Sequence, residues 1–291
     1  MKKKILVLGS TGLIGHQVFN YLKIGGRYDL YNFSYRKKLQ DDTIVLDARN
    51  FDYFCQNIID ISPDFIINCI GVLINGANAD PENAIFLNSY MPHRLARVAD
   101  DIEATLIHIS TDCVFSGDKK GPYVEQDEKD GRGIYAKTKG LGEVVNDKHL
   151  TLRTSVVGPE LKIDGEELFH WFMNETGDIH GYTDAIWSGV TTLELAKAVK
   201  WALDHHITGL YHVTNNAPIS KFELLSLFQK HTKKNIGIVP VPGKRVDKSF
   251  VDTRLLIDYK IPSYDQMVVD MISLIANNRK LYSQYKVGIP Y

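Results

Sequence analysis

The feature that most constrains the fold is a glycine-rich turn close to the amino terminus. The apolar run 5–8 leads directly into GSTGLIG, in which Gly9, Gly12 and Gly15 are spaced three residues apart, and an amphipathic stretch follows. Glycine permits a tight turn between a strand and a helix and lets backbone N–H groups approach a ligand closely. The following helix presents its positive end to an anion. The context predicts a pyrophosphate site, the alternative being a tight turn without a ligand.

Short apolar runs alternate with helical patterns through the first half of the chain. Strands are predicted over 5–8, 28–33, 44–46, 65–70, 105–110 and 150–153, and helices over 13–21, 51–61, 83–99 and 135–145. This alternation predicts right-handed βαβ units and an α/β fold with a doubly wound, parallel, Rossmann-like sheet. The regular alternation of strand and helix patterns ends near residue 157. We therefore predict a larger nucleotide-binding domain over 1–157 and a smaller, mainly substrate-binding domain over 158–291, with the helix near 193–203 free to pack back on the first.

Composition excludes several classes of partner. The chain has 291 residues, with 34 basic and 35 acidic side chains, which argues against bulk attraction to nucleic acid or to a membrane surface. The apolar run after MKKK is too short for a signal peptide. Cys55, Cys69 and Cys113 are odd in number and lack zinc-ligand spacing, so no metal is predicted. We expect a soluble cytoplasmic protein; its oligomeric state stays open, a homodimer included.

The end of the second predicted strand bears on cofactor choice. An NAD-binding protein carries Asp or Glu there to bind the ribose 2′-hydroxyl, whereas residues 31–38 read YNFSYRKK, without a carboxylate. A guanidinium such as that of Arg36 can bind the 2′-phosphate of NADP through charge-assisted hydrogen bonds. The alternative is a solvated basic loop. The pattern favours NADP(H), with Arg36 at the phosphate.

The GxxGxxG spacing resembles the short-chain dehydrogenase/reductase superfamily, and the chain length resembles its extended branch. In that superfamily, a Ser or Thr at the end of the fifth strand and a Tyr-x-x-x-Lys on the next helix form the catalytic triad. Thr111, Tyr135 and Lys139 occupy these places in this chain. The resemblance implies that Thr111 hydrogen-bonds the substrate oxygen, that Tyr135 transfers the proton and that Lys139 also holds the nicotinamide ribose.

The Tyr135 and Lys139 pair also has a chemical rationale. A tyrosine hydroxyl, with a reference pKa near 10, is a weak acid at neutral pH. A cation one helical turn away, together with an oxidised nicotinamide, favours the phenolate and predicts a lowered pKa for Tyr135. The spacing alone is weak evidence, because residues i and i+4 are neighbours on any helix and many such pairs are solvated.

A narrower resemblance covers most of the chain. The segments STDCVFSGDKKGPYVEQDE, IYAKTKGLGE, RTSVVG, WSGVTTLELAKAV and GLYHVTNN are similar to those of the dTDP-4-dehydrorhamnose reductase family. This resemblance implies NADPH-dependent reduction of a nucleotide-activated 4-keto-6-deoxy sugar in the biosynthesis of deoxysugars or surface polysaccharides. Carried over by position, the expected catalytic residues are Thr111, Tyr135 and Lys139; the cofactor-binding residues are Gly9, Thr11, Gly12, Leu13, Ile14, Gly15, Arg36, Asp47, Ala48, Ile70, Gly71, Val72, Tyr135 and Lys139; and the substrate-binding residues are Thr111, Asp112 and Val156.

Three departures from the family pattern leave the sugar open. Cys113 stands where the family has Tyr, Ala136 follows the catalytic tyrosine in place of Gly, and Val156 stands where the family often has Trp near the sugar. A hexosulose carried on UDP and bearing a 2-acetamido group is therefore an equal candidate. Two further alternatives are a nucleotide-sugar epimerase with bound NAD, which the absent ribose-binding carboxylate disfavours, and a non-catalytic NADP-binding regulatory subunit.

Three other polar residues lie in predicted strands or at element ends. Asn68 and Asn88 are each open between a supporting polar role at the cleft and simple capping. His108, within a predicted strand, is expected to be a hydrogen-bonded core histidine rather than a catalytic one.

Overall fold

The computed structural model describes residues 2–119, 121–243, 245–254 and 258–288. The chain forms two compact units. The first unit comprises residues 1–115, 128–154 and 196–211, and the second comprises residues 116–127, 155–195 and 212–291. The predicted division at 157 thus lies at 154/155, and residues 116–127, predicted for the first domain, belong to the second unit.

The secondary structure begins with a regular alternation of strands and helices. Up to residue 154 the elements are β1 Lys4–Leu8, α1 Gly15–Lys23, β2 Asp29–Ser34, β3 Ile44–Val45, α2 Phe51–Ile61, β4 Phe65–Asn68, α3 Ile74–Ala79, α4 Pro81–Ala84, a π-helix Ile85–Tyr90, α5 Met91–Asp101, β5 Thr105–Thr111, a 3₁₀ turn Asp112–Val114, α6 Gly133–Leu141 and β6 Leu150–Thr154. The later elements are β7 Val156–Val157, α7 Leu168–Asn174, β8 Ile179–Tyr182, β9 Ala185–Trp187, β10 Val190–Thr191, α8 Thr192–His205, β11 Gly209–His212, β12 Ile219–Ser220, α9 Lys221–Thr232, β13 Ile238–Val241, β14 Val246–Asp247 and α10 Tyr264–Asn277. Within the described residues, no helix is long and apolar enough to cross a membrane.

A seven-stranded sheet forms the centre of the first unit. Its order is β11-β6-β5-β4-β1-β2-β3, and the neighbours from β6 to β3 pair in parallel. The predicted doubly wound α/β fold is therefore confirmed. From β1 the strands are added in one direction to β2 and β3, and then in the opposite direction from β4 to β5 and β6. Open parallel sheets bind ligands at such a switch point, beyond the carboxyl ends of the strands.

The second unit contains small sheets and amphipathic helices. Its sheets have the orders β10-β7, β12-β9-β14 and β13-β8. Phe169 of α7 packs edge-on against Phe228 of α9, with ring centroids 5.2 Å apart. A capping box begins α9, since Ser220 Oγ accepts from the Glu223 N–H at 3.1 Å while the Glu223 carboxylate accepts from the Ser220 N–H at 2.8 Å.

The prediction of one continuous α-helix over 83–99 is wrong. This segment consists of α4, the π-helix and α5 in succession, and the chain enters α4 through Asp80, whose carboxylate accepts from the Asn83 N–H. A π-helical turn holds an extra residue and occurs often at functional sites. Hydrophobic periodicity did not reveal it, because apolar residues continue through the widened turn.

The π-helix and α6 approach each other closely at Gly142. A Cβ on Gly142 would lie 1.8 Å from the backbone oxygen of Asn88 and 2.9 Å from its carbonyl carbon. Backbone atoms cannot yield as a flexible side chain does, so this contact requires glycine. Gly140, within α6, differs: its nearest contact would be Lys129 Cδ at 3.5 Å, an ordinary van der Waals distance.

We therefore expect Gly142→Ala and Gly140→Ala to have opposite effects on stability. Gly142→Ala should destabilise the protein by roughly 1–3 kcal/mol or more, since overpacking must push α6 from the π-helix. Gly140→Ala, the matched control, should be neutral or stabilising by up to about 1 kcal/mol, because alanine favours a helix interior. Urea unfolding of both variants checks this, and equal free energies of unfolding would contradict the tight contact.

Candidate active site

The glycine turn is built as its spacing predicts. Gly9 has a φ of +79°, and the N–H groups of Gly9 and Ser10 both donate to the Phe33 carbonyl at 2.9 Å. A Cβ on Gly15 would lie 2.2 Å from the Gly9 oxygen, so only glycine lets α1 begin this close to the turn. Residues 11 to 14, at the amino end of α1, are half-buried. This arrangement suits an anion held by backbone N–H groups.

The segment that follows β4 lies against this turn. A Cβ on Gly9 would come within 3.1 Å of Ile70 Cγ1 and 3.2 Å of the Cys69 carbonyl carbon. A Cβ on Gly71 would lie 3.9 Å from the Nζ atom of Lys139. The expected cofactor-binding residues after β1 and β4 are thus brought together with Lys139 at the switch point. Side chains at these glycines would fill the backbone-lined cradle that a dinucleotide needs.

Asn88, in the π-helix, holds this segment in place. Its Oδ1 accepts from the Val72 N–H at 2.8 Å, and its Nδ2 donates to the Val72 carbonyl at 3.0 Å. The same Nδ2 lies 3.2 Å from Thr138 Oγ1, and the Ser89 hydroxyl donates to the Thr138 carbonyl at 2.8 Å. Asn88 therefore has a supporting role rather than a capping role, since it joins the loop after β4 to α6.

A second group of residues surrounds the exposed ring of Tyr35, beyond β2. The guanidinium of Arg36 lies 4.6 Å from the ring centroid, and that of Arg49 lies 5.5 Å from it. Arg49 also donates to the Tyr35 hydroxyl at 2.7 Å and to Asp47 at 2.6 Å, and this hydrogen bonding lowers the pKa of Asp47. Ala48 is buried beside them. The sequence interpretation named Arg36, Asp47 and Ala48 but missed Tyr35 and Arg49.

Thr111 and Tyr135 meet at the carboxyl end of β5. Thr111 Oγ1 donates to Asp112 Oδ1 at 3.1 Å and accepts from the Cys113 N–H at 3.1 Å. Tyr135, in the first turn of α6, is hydrogen-bonded to Thr111. Burial raises the pKa of the Tyr135 hydroxyl, Cys113 and Asp112 add to this, and the bond with Thr111 opposes it. In the protein alone the direction is therefore opposite to the lowering that the sequence predicts with an oxidised nicotinamide bound, and the effect of the nicotinamide stays a prediction.

The position of Lys139 explains this result. Its side chain is only 5% exposed, and Nζ donates to the carbonyl of Ile109 at 2.7 Å, so the ammonium is directed at the β5 backbone. Burial lowers the pKa of Lys139 to about 8, although the negative charge of Glu143 raises it. Removal from water thus dominates the electrostatics of both Tyr135 and Lys139, and it favours the neutral form of each.

A buried ion pair anchors the carboxyl end of α6. Glu143 accepts from Arg153 Nε at 2.7 Å, from the Arg153 terminal nitrogen at 2.8 Å and from the Ser110 hydroxyl at 2.7 Å. Lys129 Nζ lies 3.2 Å from the same carboxylate. These bonds tie α6 to β5 and β6, as a bidentate arginine pair does well. The sequence interpretation assigned no role to Glu143, although it ends the quoted segment IYAKTKGLGE.

The remaining expected substrate residues lie in different units. Asp112 is buried in the first unit, next to Thr111. Val156 belongs to β7 of the second unit, where it pairs with Val190 of β10, and its expected place at the sugar stays a prediction. Cys113 is half-buried and Ala136 is buried.

The sequence and fold are similar to those of known proteins. Residues 2–250 match the sequence profile of the RmlD substrate binding domain family. The chain is 27% identical over 243 residues to spore coat polysaccharide biosynthesis protein SpsK of Bacillus subtilis, covering 82% of each chain. It is 25% identical over 276 residues to dTDP-4-dehydrorhamnose reductase of Escherichia coli, covering 86% of this chain and 89% of that one.

A solved structure has the same fold. The crystal structure of dTDP-4-dehydrorhamnose reductase from Bacillus anthracis in complex with NADP superimposes with a TM-score of 0.80 at 24% identity, covering 93% of this chain and 99% of that one. The match to the family profile spans most of the sequence and includes the glycine turn, Thr111, Tyr135 and Lys139. This chain therefore belongs to the RmlD substrate binding domain family.

Proposed function

We propose that the protein is an NADPH-dependent reductase of a nucleotide-activated 4-keto-6-deoxy sugar. One observation carries this proposal: Tyr135, hydrogen-bonded to Thr111, lies one helical turn from Lys139, and Lys139 reaches the edge where the glycine turn meets the segment after β4. The names of the relatives in Escherichia coli and Bacillus subtilis support a sugar-nucleotide reductase of polysaccharide biosynthesis. The odd number of cysteines, without a disulfide pattern in their spacing, suits a cytoplasmic location.

The residues of the first unit divide the chemistry between them. Bound NADPH would supply the hydride to the keto carbon. Thr111 would hydrogen-bond the keto oxygen, and Tyr135 would donate its proton to that oxygen as charge develops there. Because burial raises the pKa of Tyr135, the hydroxyl keeps its proton at neutral pH, which is the form that reduction requires. The charge of Lys139, one helical turn away, would then stabilise the phenolate until it regains a proton.

The cofactor would lie along the turn and the segment after β4. Residues Gly9 to Gly15 would hold the pyrophosphate, Asp47 and Ala48 would flank the adenine, and Lys139 would hold the nicotinamide ribose. Arg36 is exposed beside Asp47, at the end of β2 where a ribose-binding carboxylate is replaced by Ser34, Tyr35 and Arg36. This arrangement supports NADPH over NADH.

Turnover of a panel of dTDP-, UDP- and GDP-linked 4-keto sugars, followed by NADPH oxidation, tests the proposal. A reductase consumes one NADPH for each sugar reduced. An epimerase would convert the sugar without net consumption, and a regulatory subunit would bind NADP without turnover. Val156 stands where the family often has an aromatic residue, and such a platform contributes ~0.5–1.5 kcal/mol. We therefore expect kcat/KM for dTDP-4-keto-rhamnose to exceed that for UDP-linked 2-acetamido sugars by less than about 100-fold.

Replacement of the proton donor should separate catalysis from binding. In Tyr135→Phe the ring still fills its place, so stability and NADPH affinity should change little. The rate of reduction should fall by about 10²- to 10⁴-fold, the usual contribution of a positioned general acid. Tyr53→Phe, at a tyrosine of α2 that is 57% exposed, serves as the matched control and should retain the full rate. A Tyr135→Phe enzyme with more than about a tenth of the original rate would contradict the assignment.

The role of Arg36 should appear as a change in cofactor preference. Loss of a charge-assisted contact with the 2′-phosphate should weaken NADPH binding by about 10- to 150-fold in Arg36→Ala, while NADH binding stays nearly unchanged. Lys37→Ala, at the adjacent exposed cation, should have a much smaller effect. Equal losses for NADPH and NADH, measured by titration, would show that Arg36 does not bind the phosphate.

Lys139→Met should abolish most activity and yet stabilise the protein at neutral pH. The pKa of Lys139 is lowered from 10.5 to about 8, so below pH 8 the folded protein contains a buried ammonium at a cost of about 3 kcal/mol. Losing the bond to Ile109 offsets about 1 kcal/mol of that gain.

The pH window follows from the direction of the shift. The unfolded chain binds more protons than the folded protein between pH 8 and 10.5, so the stability of the original protein rises across this range. The advantage of Lys139→Met should therefore be largest below pH 8 and should vanish towards pH 10.5. Urea unfolding at several pH values measures it, with exposed Lys137→Met as the control. A less stable Lys139→Met protein at pH 7 would refute the cost of the buried charge.

A further inference from the structure

The buried side chains of Asn68, His108 and Lys139 follow one another in a row. Asn68 and His108 face each other as register partners in β4 and β5. The Nδ2 of Asn68 is 3.1 Å from the Nδ1 of His108, and the Nε2 of His108 is 3.5 Å from the Nζ of Lys139. Asn68 and His108 are both fully buried. We call this the Asn68–His108–Lys139 chain.

The backbone sets the orientation of the Asn68 amide. The N–H of Ile70 donates to Asn68 Oδ1 at 3.1 Å. A backbone N–H can only donate, so the amide oxygen must face Ile70 and the NH₂ group must face His108. The NH₂ group is itself a donor, and His108 Nδ1 must therefore accept. A neutral imidazole with an accepting Nδ1 carries its proton on Nε2.

This tautomer of His108 affects which protonation state of Lys139 is stable. The Nε2–H of His108 is directed towards Nζ, and an N–H group cannot accept a hydrogen bond from an ammonium. A neutral amine has a lone pair and can accept from this N–H. The Ile109 carbonyl, at 2.7 Å, serves one of the three ammonium protons. The Nε2–H of His108 can therefore donate a hydrogen bond to the neutral amine of Lys139, whereas its positive end repels the ammonium form.

We propose that His108, oriented by Asn68, is a positioning residue whose Nε2–H favours the uncharged amine of Lys139 over the ammonium. This inference deepens the proposed function, since it concerns the lysine assigned to that reaction. Burial of Lys139 acts in the same direction, lowering its pKa to about 8. Burial and the adjacent Lys139 together hold the pKa of His108 well below its usual value, so an imidazolium is excluded.

Other charged and titratable groups surround the Asn68–His108–Lys139 chain. Glu143, on the segment after α6, favours the charged form of Lys139, but Arg153 and Lys129 neutralise much of its field. Cys69, after β4, also faces Lys139, and burial keeps its thiol protonated by raising its pKa to about 12. Further groups act on the neighbouring side chains, namely His93 of α5 on His108, and Asp112 and Cys113 on Tyr135.

The functional consequence is an alkaline limit on activity. Tyr135 keeps its proton well above neutral pH, so the charge of Lys139 is the property lost first as the pH rises. An uncharged Lys139 attracts neither the ribose nor the developing phenolate strongly. The rate of reduction should then fall above about pH 8, at the pKa of Lys139.

The tautomer can be measured without any substrate or cofactor. In protein carrying ¹⁵N-labelled histidine, the His108 signals, assigned by their absence from His108→Gln, should show a neutral ring protonated at Nε2. An Nδ1–H tautomer or an imidazolium would overturn the proposal. Because this measurement does not involve turnover, it decides the proposal even where the proposed reaction fails.

Asn68→Asp tests the link from the tautomer to Lys139. A carboxylate of the same shape accepts from both Ile70 N–H and His108 Nδ1–H, so the ring should change tautomer and present a lone pair to Lys139. The pKa of Lys139, followed by the ¹³Cε signal, should rise by about one unit or more, partly through the added negative charge. His108→Gln adds no charge, so the rise expected in that variant isolates the contribution of the imidazole. An unchanged pKa of Lys139 in folded Asn68→Asp and in His108→Gln would overturn the proposal.

The pH profile of kcat/KM supplies the second readout. In Asn68→Asp and His108→Gln the alkaline limb should move to higher pH, by the same shift that the ¹³Cε signal reports. His180→Gln, at an exposed histidine of β8, is the matched control and should leave the limb in place. A purely structural role for His108 would lower kcat without moving the limb, and that outcome would also overturn the proposal.

Discussion

The approach of α6 to the π-helix is the constraint on which the site depends. Gly142 lies against the Asn88 carbonyl, and no side chain larger than a hydrogen atom fits there. The Asn88 amide then joins Val72 to Thr138, while Glu143 and Arg153 hold the other side of α6 on the sheet. Because α6 carries both Tyr135 and Lys139, these contacts decide where the hydroxyl and the amine stand.

Burial then decides the charge state of the two groups. Removal from water disfavours any charged form, so it raises the pKa of Tyr135 and lowers that of Lys139. The two shifts converge on a protonated hydroxyl and a lysine that titrates near neutral pH. Such a pair suits proton donation to a keto oxygen, since the donor hydroxyl is neutral and holds its proton before the reaction, and a charged Lys139 can stabilise the phenolate that forms.

Much of the fold followed from local patterns. The strands β1 to β6, helix α2 and the Ser220 capping box agree with the periodicity and capping signals, because these depend on residues close together in the chain. The π-helix, the small sheets of the second unit and the partners of Asn68 were not predicted. Each depends on contacts between residues distant in sequence, and two-residue strands such as β7 carry too few residues for a period to be visible.

By itself the sequence determined the doubly wound sheet and the glycine turn, because strand and helix periodicity and glycine spacing are local properties of the chain. The family resemblance, and not periodicity, singled out Thr111, Tyr135 and Lys139. The tertiary structure alone decided the direction of the Tyr135 pKa shift and the pairing of Lys139 with Ile109 and His108. The physical reason is that a pKa depends on the loss of water and on the dipoles brought in by other strands, and neither is recorded in the spacing of two residues on one helix.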